Sequence, residues 1–156
     1  MRRLLTLTLA VIAAAAMTWA ADDTLGAWKY NTAKSEGVAG VSPYTNLTLT
    51  REAIDGGVKT TGKGERADGT KIDTVTTAKY DGKPVTVTGT GLAYDTVATK
   101  QVNANTVTEE RTKQGTKYHV TARRVVSADG KTMTVTMKGN DADGKPISST
   151  VVWDRQ

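Results

Sequence analysis

The chain is expected to fold as a single all-β domain, an antiparallel up-and-down barrel of eight to ten strands. Three observations carry that expectation. Threonine, valine and glycine dominate after the first twenty residues, the mix found in pleated, half-buried strands. Apolar and polar residues alternate in short runs, and helical periodicity is nearly absent. Between the runs Asp-Gly recurs, in IDGG, RADGT, YDGK, SADGK and DADGK, with KQGT alongside. Asp-Gly between alternating segments is the strongest short hairpin signal, and it predicts type I′ turns, which need positive φ at both central residues.

Reading between those turns places strands at 27–30, 45–51, 58–63, 71–80 and 84–90 in the first half. The second half adds 95–102, 106–112, 116–127, 132–138 and 147–154. Leu47 and Leu49 alternate with Thr48 and Thr50, and Val85 and Val87 with Thr86 and Thr88. Met133, Val135 and Met137 alternate with Thr132, Thr134 and Thr136. One face is apolar and the other is Thr and Lys, which means an antiparallel sheet with one wet side. A meander this long must curl to hide its apolar face and its edges, and an up-and-down barrel does both. A two-sheet sandwich with Greek-key crossings is the alternative, but it needs long crossovers, and only Asn31–Tyr44 is long enough.

Residues 1–20, MRRLLTLTLAVIAAAAMTWA, have the three parts of a secretory signal: Arg2 and Arg3, the apolar run Leu4–Ala16, and the small-x-small site Thr18-Trp19-Ala20. The apolar run is short of the about 20 residues a membrane span needs, so stable membrane insertion is not expected. Residues 21–156 then form the one domain, released to the periplasm or the exterior. With no cysteine the chain has neither a disulfide nor a lipid anchor on sulfur, and it must rely on its own core. Loss of Arg2 and Arg3 leaves 19 basic against 16 acidic residues, net +3. The basic residues are scattered singly among acidic ones, whereas a nucleic-acid binder concentrates them on one face with aromatics between. No nucleic-acid partner is expected, and the domain is expected to be a monomer or weakly associated.

Gly26-Ala27-Trp28 resembles the G-x-W that opens the first strand of the calycins, the superfamily of lipocalins, fatty-acid-binding proteins and avidins. In those barrels the tryptophan plugs the closed end and a late arginine packs across it, which implies structural roles for Gly26, Trp28 and Arg155. The physics is independent of the family: a small barrel needs a bulky plug, and a guanidinium on an indole adds about 0.5–2 kcal/mol beyond burial. First and last strands must also pair to close the barrel, which brings the two residues together. The whole mature chain is similar to a set of small exported bacterial proteins of unknown function, through the W-K-x-N-x-A-K-S start at Trp28–Ser35 and the half containing RRVVSADGKTMTVTMKGNDADGK. That resemblance implies a lipocalin-like barrel and no established activity.

Candidates for chemistry are few. His119, the only histidine, shares a face with Lys117, Thr121 and Arg123 and is expected to point outward; with no cysteine and no Ser elbow motif, a catalytic role is not expected. Glu109 and Glu110 are adjacent on one strand and point to opposite faces, so they cannot act as a catalytic pair. Glu109 shares its face with Val107 and Arg111, which places an ion pair near the interior. Asn140–Gly144 resembles a calcium loop only superficially, since Gly139 and Thr150 fall where ligands are required, and a hairpin turn is expected instead. No enzyme, metal or cofactor is expected.

Tyr118, Val120, Ala122, Arg124 and Val126 form one alternate face of the longest strand. If that face lines the barrel, Arg124 and Tyr118 can hold the carboxylate head of an amphipathic molecule by charge-assisted hydrogen bonds. The competing reading is that Arg124 neutralises Glu109 or reaches out of the barrel mouth. The sequence therefore supports an exported binding protein for a small apolar or amphipathic ligand. The alternative is an envelope structural or interaction protein whose barrel is filled by its own side chains.

Overall fold

The computed structural model describes residues 21–37 and 42–156, so the leader assigned to 1–20 lies outside the described residues. Eleven strands form one antiparallel sheet. The first half comprises β1 (Gly26–Tyr30), β2 (Tyr44–Ile54), β3 (Gly57–Arg66), β4 (Lys71–Lys79), β5 (Pro84–Thr86) and β6 (Thr88–Thr90). The second half comprises β7 (Thr96–Asn103), β8 (Thr106–Thr112), β9 (His119–Val126), β10 (Thr132–Asn140) and β11 (Pro146–Arg155). Neighbours in sequence are neighbours in space from β1 to β4 and from β7 to β11, which is the up-and-down meander. Closure comes from β1 against β11, with Trp28 opposite Arg155, Lys29 opposite Asp154 and Tyr30 opposite Trp153.

The expected strand at 84–90 is present but broken. Its first half pairs with β7 and its second half with β4, so one short segment bridges the last gap in the barrel. Val87 is the break point, and its N–H donates to the Asp95 carbonyl at 2.8 Å instead of to either ladder. The strand expected from Thr116 begins at His119, because Thr116 closes a turn onto the Lys113 carbonyl. Asn31–Tyr44 carries a short 3-10 turn at Thr32–Lys34, capped by the Asn31 side chain, which accepts from the Lys34 N–H at 3.0 Å.

The turns correct one expectation. No described residue other than glycine has positive φ, so the Asp-Gly corners are not type I′. At Arg66–Thr70 and Asp141–Lys145 the chain makes a type I turn and then a glycine in the left-handed region, Gly69 at φ 83° and Gly144 at φ 87°. This three-residue arrangement needs one positive φ rather than two. Aspartates hold these corners by accepting backbone N–H groups: Asp68, of Asp68-Gly69, accepts from Thr70 N–H, and Asp141, two residues before Asp143-Gly144, accepts from Asp143 and Lys145 N–H.

Alternation decides what is inside. In β9 His119, Thr121 and Arg123 are exposed, while Val120, Ala122, Arg124 and Val126 are buried. The apolar core joins Trp28, Tyr30, Leu47, Ile72, Met133, Val135 and Trp153, with Tyr30 edge-on to both Tyr44 and Trp153. Charged and hydroxyl side chains share the interior: Arg51, Thr74, Thr99, Glu109, Arg111 and Arg124 are buried too.

Candidate functional site

The barrel interior has three levels along its axis. The floor is Trp28, fully buried, whose Nε1 donates to the Thr24 carbonyl at 2.9 Å. The Arg155 guanidinium lies 4.2 Å from the indole centroid and donates to the carbonyls of Leu25 at 2.9 Å and Asp23 at 2.7 Å. Gly26, at φ 114°, lets the chain pass under that guanidinium, since a Cβ there would sit 2.8 Å from Arg155 Nη1. Gly26, Trp28 and Arg155 are thus one unit that seals the end where β1 meets β11.

Above the floor lies a buried ion cluster. Strand β8 turns Val107, Glu109 and Arg111 inward, and β9, paired with Val107 opposite Arg124, brings Arg124 beside Glu109. Arg124 Nε donates to Glu109 Oε1 at 2.6 Å and Nη2 to Oε2 at 3.3 Å. Arg111 donates to Oε2 from Nε at 3.0 Å and Nη2 at 2.6 Å. Arg51 approaches from β2, its Nη1 3.8 Å from Glu109 Oε1, and it donates to Thr24 Oγ1 and Thr60 Oγ1, each at 3.2 Å. Burial alone would raise the Glu109 carboxyl, but Arg124 and Arg111 outweigh it and hold the group well below the usual carboxylate range. Arg51 is shifted down, by burial first and then by Arg124.

The third level is a cavity of about 370 Å³ at the open end, bounded by the end of β3 at Arg66, the loop at 92–94 and the β8–β9 and β10–β11 turns. Tyr118 lines it and stacks on Tyr94, with centroids 6.4 Å apart and planes 16° from parallel. Arg111 lies over the other partner of that stack, 4.9 Å from the Tyr94 centroid. Across the mouth Arg66 covers Tyr44 at 4.3 Å and donates to the Ser42 carbonyl at 2.7 Å. Tyr30, Leu92, Val120, Met137 and Ile147 supply apolar wall, while Glu36, Lys113, Asp141 and Asp143 mark the rim. Burial raises both the Tyr94 and Tyr118 phenols, so both are neutral hydroxyls at neutral pH.

Arg124 and Tyr118 share a wall but not a cavity. Tyr118 faces the mouth; Arg124 is engaged with Glu109 and borders two smaller voids beneath, of about 80 and 30 Å³. The cation that lines the mouth cavity with Tyr118 on this wall is Arg111, not Arg124; the sequence had placed Arg111 on the inner face with Glu109 but not at a ligand site. Arg66 and Tyr94 were missed. Arg66 does share strand parity with buried Val58, a usable signal, but Tyr94 sits in a loop where periodicity is silent. Arg51 was missed too, although it continues the Leu47, Leu49 face.

His119 is on the outer surface, its Nε2 2.9 Å from Glu110 Oε2. Asn140–Gly144 is a hairpin turn whose Asp141 oxygen is taken by backbone N–H groups. Among the described residues no group of three or more histidines, cysteines or carboxylates gathers to hold a metal, and no helix is long and apolar enough to cross a membrane. No protein-family model matches the chain, and no curated protein matches it.

Proposed function

We propose that the protein is an exported, calycin-like barrel that binds a small amphipathic molecule without transforming it. The observation that carries this reading is the mouth cavity of about 370 Å³. Ligand pockets run from about 300 to 1,000 Å³ and combine a mostly apolar wall with a few placed polar groups. Here the wall is Tyr30, Leu92, Val120, Met137 and Ile147, and the polar groups are the Tyr118 hydroxyl and the guanidinium groups of Arg66 and Arg111. An apolar tail would pack on the wall while a polar head meets those groups. The test is titration with cis-parinaric acid, whose fluorescence rises when its chain leaves water. Saturable one-to-one binding is expected, and Ile147→Trp, which fills the cavity from its wall, should weaken it about tenfold or more, the effect of losing one good apolar contact. No saturable signal with the wild-type protein sinks the reading.

A second reading is an envelope structural or interaction protein with a filled barrel. It draws on the lower half of the lumen, where the voids shrink to about 80 and 30 Å³. Native mass spectrometry of protein taken from its own envelope separates the two: a co-purifying small molecule favours the carrier, a bare mass the filled barrel.

A further inference from the structure

The ion cluster beneath the mouth is short of one negative charge. Arg51, Arg111 and Arg124 are 2%, 7% and 5% exposed, and a guanidinium does not give up its proton inside a protein. Facing them are Glu109 and, behind Thr24, Asp22, whose Oδ1 takes the Thr24 hydroxyl proton at 2.6 Å. The phenols that border the cluster stay neutral: Tyr80, which donates to Asp22, is raised by burial and then by that bond, and Tyr94 by burial. Three cations therefore meet two carboxylates. Unpaired charge in a low-dielectric interior is among the costliest arrangements a fold can hold.

The excess charge has an address. Arg51 Nη2 and Arg124 Nη1 are buried with no hydrogen-bond partner among the described residues. Arg124 meets Glu109 through Nε and Nη2, which leaves Nη1 on the far side of the guanidinium from that carboxylate. Both arginines border the same void of about 30 Å³, together with Thr60, Thr76 and Thr99. Thr60 Oγ1 already accepts from Arg51 Nη1, so its own proton is free to donate. Glu109 also borders the void, but its two oxygens are engaged by four N–H donors from Arg111 and Arg124.

We infer that this void is a binding site for one monovalent, monatomic anion of the halide class, held by Arg51, Arg124 and the Thr60 hydroxyl. Size and charge select that class together. One water needs about 10–15 Å³ of such space, so a void of about 30 Å³ takes an ion of one to a few atoms and not an organic acid with its chain, while sulfate and phosphate carry more charge than the one the cluster lacks. One negative charge completes the balance of the cluster, which a water does not. The site is distinct from the mouth cavity, and its occupant would act as a structural ion that tightens the barrel, whatever the mouth binds.

Two measurements on the full chain test this. Crystals soaked in sodium bromide should show an anomalous peak in the void, against Arg51 and Arg124. The unfolding temperature should rise saturably with chloride or bromide, compared with sodium gluconate at equal ionic strength, as for any ligand that binds only the folded state. Thr60→Val keeps every charge and the strand, and should raise the halide concentration for half-saturation about tenfold, the effect of one charge-assisted hydrogen bond. A void that contains water or nothing overturns the inference, as does bromide bound only at surface lysines. Equal stability in halide and gluconate overturns it as well. A halide effect unchanged by Thr60→Val places the ion elsewhere and also overturns it. None of these outcomes depends on cis-parinaric acid binding at the mouth.

Discussion

At the scale of single residues, Glu109 does the most to hold the barrel interior together. It is one carboxylate, 5% exposed, serving three guanidinium groups. Removing one partner of a buried ion pair leaves the others uncompensated, which costs about 3–5 kcal/mol. Glu109→Gln, nearly the same shape, should therefore lower stability by about that amount in urea unfolding, whereas Glu110→Gln, on the outer face, should change it by less than about 1 kcal/mol. The same carboxylate sets an acid limit. Its folded value lies below its ordinary value of 4.5, so below that pH the unfolded chain binds a proton that the folded chain refuses. Stability is full above about the ordinary value and is lost as pH falls toward the folded one. Thermal unfolding followed from pH 7 down to about pH 2 should show that loss in the wild-type protein, and a flatter acid limb in Glu109→Gln. An unchanged limb would mean that other carboxylates carry it.

At the scale of elements, the seal between β1 and β11 and the split bridge of β5 and β6 are opposite cases. The seal is over-determined: Trp28 is packed and hydrogen-bonded, and Arg155 both stacks on the indole and ties two carbonyls of the incoming chain. Gly26→Ala tests it while leaving both partners in the sequence, because a Cβ meets Arg155 Nη1 and an L side chain is strained at φ 114°. A loss of about 1–3 kcal/mol is expected, the usual cost of a residue held in a sparsely populated region, together with weaker quenching of Trp28 fluorescence as the guanidinium is pushed away. The bridge is under-determined. β5 and β6 have three residues each, mostly exposed, and each pairs with a single neighbour. Few buried contacts and exposed ladders mean low local opening energy. Amide exchange should be fastest among the strands at 84–90 and slowest in β9 and β10, which are paired on both sides along their length. Protection of 84–90 equal to that of β10 would show the bridge to be a full staple.

At the scale of the whole molecule, the period-2 alternation was enough to give an all-β antiparallel barrel, and the buried face of β9 and of β8 from Val107 onward follows from it. The reason is local: successive side chains of a strand point to opposite faces, so one buried residue assigns its neighbours. The Asp-Gly corners were legible as corners, but not their turn type, because one glycine with positive φ suffices when the loop has three residues. The site was legible only in part. That Glu109, Arg111 and Arg124 face inward is a statement about single strands. That Arg124 is spent on Glu109, while Arg111 lines the mouth cavity with Tyr118, is a statement about the register of β8 against β9. Arg51 reaches the same carboxylate from across the lumen, through no strand pairing at all.

The division follows from the range of the forces. Strand alternation, turn residues and the polarity of each face are set within a few residues, so the sequence alone determined an all-β chain with a wet and a dry side and a tryptophan at its first strand. The lumen is set by how far the sheet staggers as it closes and by side chains separated by tens of residues. Only the tertiary structure decided that the bridge at 84–90 splits between two neighbours and that three arginines converge on one glutamate. The same closure left a cavity of about 370 Å³ open above them.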